Sequence, residues 1–370
     1  MPQVKQPVVQ PGCVRLLEHR QEYLGGARVG LLVHSASVLP DLTYLHDRLI
    51  DDPAINVTAL FGPEHGIAGV EQDQVDVGHT VYRGLRVYSL YGDDPTSLKP
   101  SPKALEKIDV LVIDLQGIGA RYYTYVYTMA YCIEACAEAG KKVILCDRPN
   151  PINGLDVEGP VLDPAFASFV GRFPVPVRHA RTVGELATQW NREQGWRADL
   201  TVLSLEGWER RMWFDETGLP WVMPSPNMTS LETATVYPGG CLIEGTNLSE
   251  GRGTTRPFEM VGAPWLDGAA LAAELNGLRL PGVYFRPIQF VPTFHKFAGK
   301  LCKGVFVHVV DRDAFRSFDA YLRLVAAARR QSPQNFSWRT EPYEFERTRL
   351  AFDLLCGTDR MRLDIEAGNL

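Results

Sequence analysis

Four short apolar runs in the first 150 residues constrain this chain more than any single motif: ARVGLLV (Ala27–Val33), INVTALF (Ile55–Phe61), VLVIDL (Val110–Leu115) and KVILC (Lys142–Cys146). Runs of this length suit strands covered on both faces, as in a parallel sheet. Helical stretches separate them. In the clearest, from about Ala120 to Ala139, Val126, Met129, Ala130, Ile133 and Ala137 recur at helical spacing, and Gly140 stops it. Strand–helix alternation predicts a doubly wound, Rossmann-like α/β domain. VHSASV stands after the first strand where a dinucleotide site needs GxGxxG, so no nucleotide cofactor is expected. A T-x-x-E capping box, Thr182 and Glu185, opens a further helix carrying Leu186 and Trp190 on one face.

The loop LPWVMPSPNMTS, 219 to 230, is rich in Pro, Asn and Ser, and the domain boundary is expected near its end. That divides the chain into a Rossmann-like catalytic domain, 1–228, and a smaller C-terminal domain, 229–370. The second reads as α+β. Strands are expected at Val283–Phe290 and Gly304–Val310, with helices near 268–276, 312–330 and 341–355. Asp267 caps the first of these helices and Gly277 ends it.

A net charge of −6 offers no electropositive footprint for nucleic acid or an anionic membrane, which leaves a small or neutral ligand. The seven cysteines form no CxxC pair and show no metal-ligand spacing, and the eight histidines are dispersed, so no metal is expected. MPQVKQPVVQPG has no hydrophobic leader core, and no apolar run is long enough to span a membrane. The compartment stays open: cytoplasmic, or exported with the leader removed. So does the oligomeric state.

In open parallel sheets, ligands bind beyond the carboxyl ends of the strands. Here all four runs deliver polar groups to that edge. The first ends at His34 and Ser35, the second at Glu64 and His65, the third at Asp114 and Gln116 followed by Arg121, the fourth at Asp147, Arg148, Asn150 and Asn153. Glu64 follows a Gly-Pro turn that fixes its backbone, and a carboxyl desolvated by apolar strand residues suits a proton donor to a leaving oxygen. His65 is placed to bond Glu64 or the substrate. Asp114 is either ion-paired or a site residue, with Arg121 and Arg148 as natural partners for it or for a substrate carboxylate. ARYYTYVYTMAY carries five tyrosines, and Tyr122 and Tyr123 suit sugar recognition. EGTNLSEGRGTTRPFE, 244 to 259, is too polar and Gly-rich for a core element. It reads as a loop bringing Glu244, Asn247, Glu250 and Arg252 to the cleft.

Together GPEHG (62–66), VYSLYG (87–92), GARYYTY (119–125), DRPNPINGLDVEGP (147–160), MWFDETGLPWVMPSPNM (212–228), ETATVYPG (232–239), the 244–259 stretch and KGVFVHVVDRDAF (303–315) resemble the NamZ-type exo-β-N-acetylmuramidases. The resemblance covers residues 12 to 366. It implies a Rossmann-like first domain, a smaller C-terminal domain closing a cleft, and removal of N-acetylmuramic acid from the non-reducing end of peptidoglycan fragments. It makes Glu64 the catalytic residue. The second carboxylate of a glycosidase would come from Asp114, Glu244 or Glu250, unless the substrate's own acetamido oxygen attacks. The chain departs from the family pattern at Ala68, Gly117, Ala180–Arg181 and the first strand end, so related 2-acetamido sugars stay within the expected range. The alternatives are a hydrolase of another class, such as an amidase, and a non-catalytic sugar-binding protein.

Overall fold

A computed structural model describes residues 9–69 and 80–370. The leader reading of residues 1–8 therefore lies outside the described residues. The chain divides into two compact units. The first takes residues up to Gly119, Tyr123–Leu155 and Ala180–Pro226. The second takes Ala120–Tyr122, Asp156–His179 and Asn227–Leu370. Besides the passage at 226–227, then, two earlier excursions of the chain belong to the second unit.

The first unit is built on β1 (Arg28–Val33), β2 (Asn56–Gly62), β3 (Thr80–Tyr82), β4 (Leu85–Ser89), β5 (Val110–Asp114) and β6 (Lys142–Cys146). The chain then forms an antiparallel ribbon in the second unit, β7 (Glu158–Val161) with β8 (Pro176–Arg178), before adding β9 (Leu200–Leu203) to the first sheet. The order is β3-β4-β2-β1-β5-β6-β9, and every pair is parallel except the β3–β4 hairpin. Strand order reverses between β1 and β5, the switch point of a doubly wound sheet.

Val29, Leu31, Val33, Leu60, Val112, Ile144 and Leu203 build a buried cluster. The alternate residues Leu32, Phe61, Leu111, Ile113, Val143 and Leu145 are buried as well. Double coverage is why these strands read as near-continuous apolar runs. The helix expected from about Ala120 begins at Tyr125 instead and runs to Glu138. The residues before it are drawn away: the Arg121 N–H donates to the Val177 carbonyl, and Ala120 bridges to Arg178. Tyr127 of this helix stacks on Trp190 of the helix Val183–Glu193, with ring centroids 5.9 Å apart. Thr182 and Glu185 close the capping box at the head of that second helix.

In the second unit, β10 (Met260–Ala263), β11 (Val283–Phe290) and β12 (Cys302–Val309) form an antiparallel sheet in the order β10-β12-β11. The helix Gly268–Gly277 packs on it, capped by the Asp267 carboxylate. Two expected helices are shorter. One starts at Ser317, because the Asp311 carboxylate accepts the Asp313 and Ala314 N–H groups in a separate turn. The other is reduced to Ala351–Cys356, because Glu344 and Phe345 take positive φ of 47° and 69°, which no helix tolerates.

Candidate active site

β2 runs out at Gly62, and the chain turns at once. The Gly66 N–H donates to the Pro63 carbonyl over 2.9 Å, closing a tight turn with Glu64 and His65 at its centre. His65 takes φ of +68°, the left-handed conformation that the third residue of a type II turn requires and that glycine normally supplies. A side chain there costs about 1–3 kcal/mol, and such strain concentrates at functional sites. Both side chains are buried, Glu64 at 4% and His65 at 8% exposure.

Around the turn, the first unit gathers groups from four elements. The Thr124 hydroxyl, just ahead of the helix Tyr125–Glu138, donates to Glu64 Oε2 over 2.7 Å. The Tyr125 ring meets His65, His34 and Tyr123 edge-on at 6.4, 4.9 and 4.8 Å between centroids. Its hydroxyl donates to the Pro224 carbonyl over 2.7 Å. Burial pushes the Tyr123 phenol up, so it stays a neutral hydroxyl; the charge of Glu64 acts in the same direction.

The switch point itself is bridged. The Gln116 N–H donates to His34 Nε2 over 2.9 Å, and His34 Nδ1 lies 3.3 Å from the Pro224 carbonyl. An accepting Nε2 makes Nδ1 the protonated nitrogen of a neutral ring. Burial, reinforced by Arg148, holds the His34 pKa down at about 3. The Gln116 amide donates to the Gly117 and Pro149 carbonyls. Thus the crevice that binds a dinucleotide in other doubly wound sheets is closed by side chains, and Glu64 stands one strand away from it.

Several residues expected on the substrate are engaged with protein instead. Asp114 is completely buried and receives Arg148 Nε and a terminal nitrogen over 2.6 and 2.8 Å. Arg148 also donates to the Val38 carbonyl. Of the two readings of Asp114, the structure shows the ion pair with Arg148: neither charge can leave water without the other. Asn150 accepts the Ile152 N–H and donates to the Arg181 carbonyl, clamping the loop. In the second unit, the buried Arg121 guanidinium donates to the carbonyls of Pro160, Val175 and Leu355, and the Tyr122 hydroxyl donates to the Pro238 carbonyl. Both tie segments of the second unit together. Asn247 binds backbone groups of Asn335 and Ser337.

The 244–259 loop holds its charges among themselves. Glu244 accepts from Arg252 over 2.8 Å and from the Tyr343 hydroxyl over 2.7 Å. Glu250, fully buried, lies 3.0 Å from Lys296, 3.1 Å from His295 and 3.5 Å from Arg252. Lys296 and Arg252, with the hydrogen bond to His295, keep it ionised against the cost of burial. Glu244, Glu250 and Arg252 thus form one charge cluster within the loop.

Sequence reasoning overlooked Thr124, Ser225, which hydrogen-bonds to Tyr123, and the Glu250 neighbours His295 and Lys296; Tyr125 it named only as one of five tyrosines. Thr124 stands within the YYTY run and Ser225 within the SPN of the proline-rich loop, so the signal was a polar side chain inside segments otherwise explained as helix and linker. HK at 295–296 stands alone and carries no pattern.

Asp147, at the end of β6, accepts the Gly184 N–H and the Thr182 hydroxyl at the head of the helix Val183–Glu193, each over 2.8 Å. A Cβ on Gly184 would stand 2.7 Å from the Asp147 carboxyl carbon, so only glycine permits this approach. Burial nevertheless raises the Asp147 pKa to about 6. A carboxyl raised in the folded state binds protons there that the unfolded chain has already lost. Its stabilising contribution is full below about pH 4 and is lost as pH rises to about 6. Thermal melts of Asp147→Asn are expected to lack that decline, whereas wild type shows it. Parallel Tm curves from pH 4 to 7 would remove the assignment.

Among the described residues, no group of three or more His, Cys, Asp or Glu converges as a metal site would, and no helix is long and apolar enough to cross a membrane. The chain is 46% identical over 366 residues to the peptidoglycan beta-N-acetylmuramidase NamZ of Bacillus subtilis (strain 168), which covers 98% of this chain and 86% of that protein. Two crystal structures of DUF1343 family proteins from Bacteroides fragilis NCTC 9343 share the fold. One superposes with a TM-score of 0.87 at 34% identity, covering 99% of this chain and 93% of the other. The second gives 0.73 at 29%, covering 97% and 91%. Residues 29–232 match the N-terminal and residues 235–370 the C-terminal sequence model of exo-beta-N-acetylmuramidase NamZ, and the chain belongs to that family.

Proposed function

We propose that this protein is an exo-acting glycosidase that removes a terminal β-linked N-acetylmuramic acid from peptidoglycan fragments, with Glu64 as the proton donor. The observation that carries this reading is the Glu64 turn. A buried carboxyl, fixed by a strained backbone and by the Thr124 hydroxyl, stands at the carboxyl edge of the sheet among neutral His34, Tyr123 and Tyr125. Positioning of this kind is what general acid catalysis requires. His65 and Tyr123 are proposed to contact the sugar. The anionic lactyl group distinguishes the muraminide from its glucosamine counterpart.

The state of the other carboxylates supports a particular second half of the mechanism. Among the described residues, the three acids considered for a second carboxylate, Asp114, Glu244 and Glu250, are each ion-paired. A two-carboxylate glycosidase needs a second free one about 5 Å or ~6.5–9.5 Å from the first. We infer attack by the substrate's own acetamido oxygen. Glu64 gives its proton to the leaving oxygen as the acetamido C=O bonds to the anomeric carbon. The intermediate then opens with water, and the carboxylate recovers a proton.

The test is hydrolysis of 4-nitrophenyl β-N-acetylmuraminide against the β-N-acetylglucosaminide, with the anomeric configuration of the released sugar read by NMR. Turnover of the muraminide with net retention is expected. Inversion would exclude acetamido participation, and cleavage of neither glycoside by folded protein would remove the activity.

A further inference from the structure

A cavity of about 320 Å³ in the first unit lies beside β4, lined by Arg86, Tyr88, Leu90, Lys99, Ser101 and Lys103, with further contributions from the 89–104 segment. Its size is at the lower end of the ~300–1,000 Å³ range of small-molecule sites. The charged lining is positive on a chain of net charge −6. Lys99 is neutralised by Glu134 and Glu138, at 3.7 and 2.8 Å. Arg86 and Lys103 make no ion pair with an acid among the described residues. Arg86 is held in place all the same: its guanidinium lies 5.1 Å from the centroid of Tyr88, and Tyr88 stacks on Phe61 at 5.3 Å. A stacked guanidinium keeps its donors in one plane and is pre-organised for a carboxylate. The walls supply apolar surface from Tyr88, Leu90, Pro100 and Ala104. The stacked Arg86 and the neighbouring Lys103 over an apolar floor suit a pyranose carrying a carboxylate.

The place of this cavity gives it a role. Ser89 pairs with Gly62 at the end of β2, and the Leu90 N–H donates to the Gly62 carbonyl, so the upper rim lies one strand from the Glu64 turn. Arg86 stands three residues back along β4, about 10 Å at strand rise. We propose that this cavity is a second sugar-binding site, which holds a further acidic sugar of the glycan being trimmed. The proposal rests on the glycosidase reading, and it makes the enzyme favour a muramic-acid-containing chain over a short substrate.

Two measurements separate the proposal from that reading. The first compares kcat/KM for the 4-nitrophenyl muraminide with that for a peptide-free muropeptide-derived tetrasaccharide, in wild type and in the Arg86→Ala, Lys103→Ala double variant. The tetrasaccharide is expected to lose at least about 10-fold, the scale of a lost charged hydrogen bond, and the aryl glycoside to be unchanged. Equal losses on both substrates, or none on either, would overturn the site. The second is calorimetric titration of the tetrasaccharide, with chitotetraose as the neutral control, into Glu64→Gln protein and into the triple variant. The acidic sugar is expected to bind more tightly, less so as salt rises, and to lose that preference in the triple variant. Equal affinities for the two sugars would overturn it. If wild type cleaves no muraminide, the glycosidase reading fails, and this titration still decides the cavity.

Discussion

Glu64→Gln is expected to lower kcat/KM for a muramyl disaccharide by about 10²–10⁴-fold, the usual contribution of a positioned general acid. The fold should be unaffected. A glutamine carbonyl still accepts the Thr124 hydroxyl, which donates to Glu64 Oε2 over 2.7 Å, and the Gly66–Pro63 turn does not involve the side chain. The size of the loss should depend on the leaving group. A sugar hydroxyl is a poor leaving group and needs the proton, whereas 4-nitrophenolate departs with little help. The variant should therefore lose much more on the disaccharide than on the aryl glycoside. Equal losses on the two substrates would assign Glu64 to binding or structure rather than to proton transfer. Near-wild-type rates on the disaccharide would remove it from the reaction.

The sheet was legible because its strands are short apolar runs with polar ends, and double burial leaves little room for anything else. KVILC was read to the residue, and the other three runs to within one residue at either end. The β3–β4 hairpin and β9 were missed. TVYRGLRVYS mixes charge with apolar residues because it lies at an edge, where one flank has no neighbour to bury it. The polar residues at the strand ends were legible as a group but not one by one. Asp114 and Glu64 both stand at strand ends, and composition does not distinguish a carboxylate that meets a guanidinium from one that meets a threonine hydroxyl. The distinction lies in pairing across the sheet: Arg148 follows β6 and reaches back to the end of β5, and Thr124 reaches the end of β2. Arg121 eluded sequence reasoning for a further reason. Its backbone leaves the first unit altogether, and nothing in GARYYTY marks three residues of an apparent helix as belonging to another unit.

Breaking the Asp114–Arg148 pair should have the largest effect on stability of any single substitution near the site. Asp114 has no exposed surface, and Arg148 is 5% exposed. Arg148→Met would leave a carboxylate buried without a cation and the Val38 carbonyl with only the weak Cys13 thiol as donor, at a cost of about 3–5 kcal/mol. In a unit of this size that lowers Tm by on the order of 10 °C. Asp114→Asn should cost a similar amount, with the guanidinium left unpaired. The double variant, Asp114→Leu with Arg148→Met, should recover most of the loss, since a buried ion pair replaced by apolar groups of similar volume is often neutral. Recovery would establish that the pair acts through itself. The same variants distinguish a structural arginine from one that grips the lactyl carboxylate. For a structural Arg148, the folded fraction of the double variant keeps its ratio of KM values for muraminide and glucosaminide substrates. An arginine that held the lactyl group would raise KM for the muraminide alone, and its loss would not be repaired by removing Asp114.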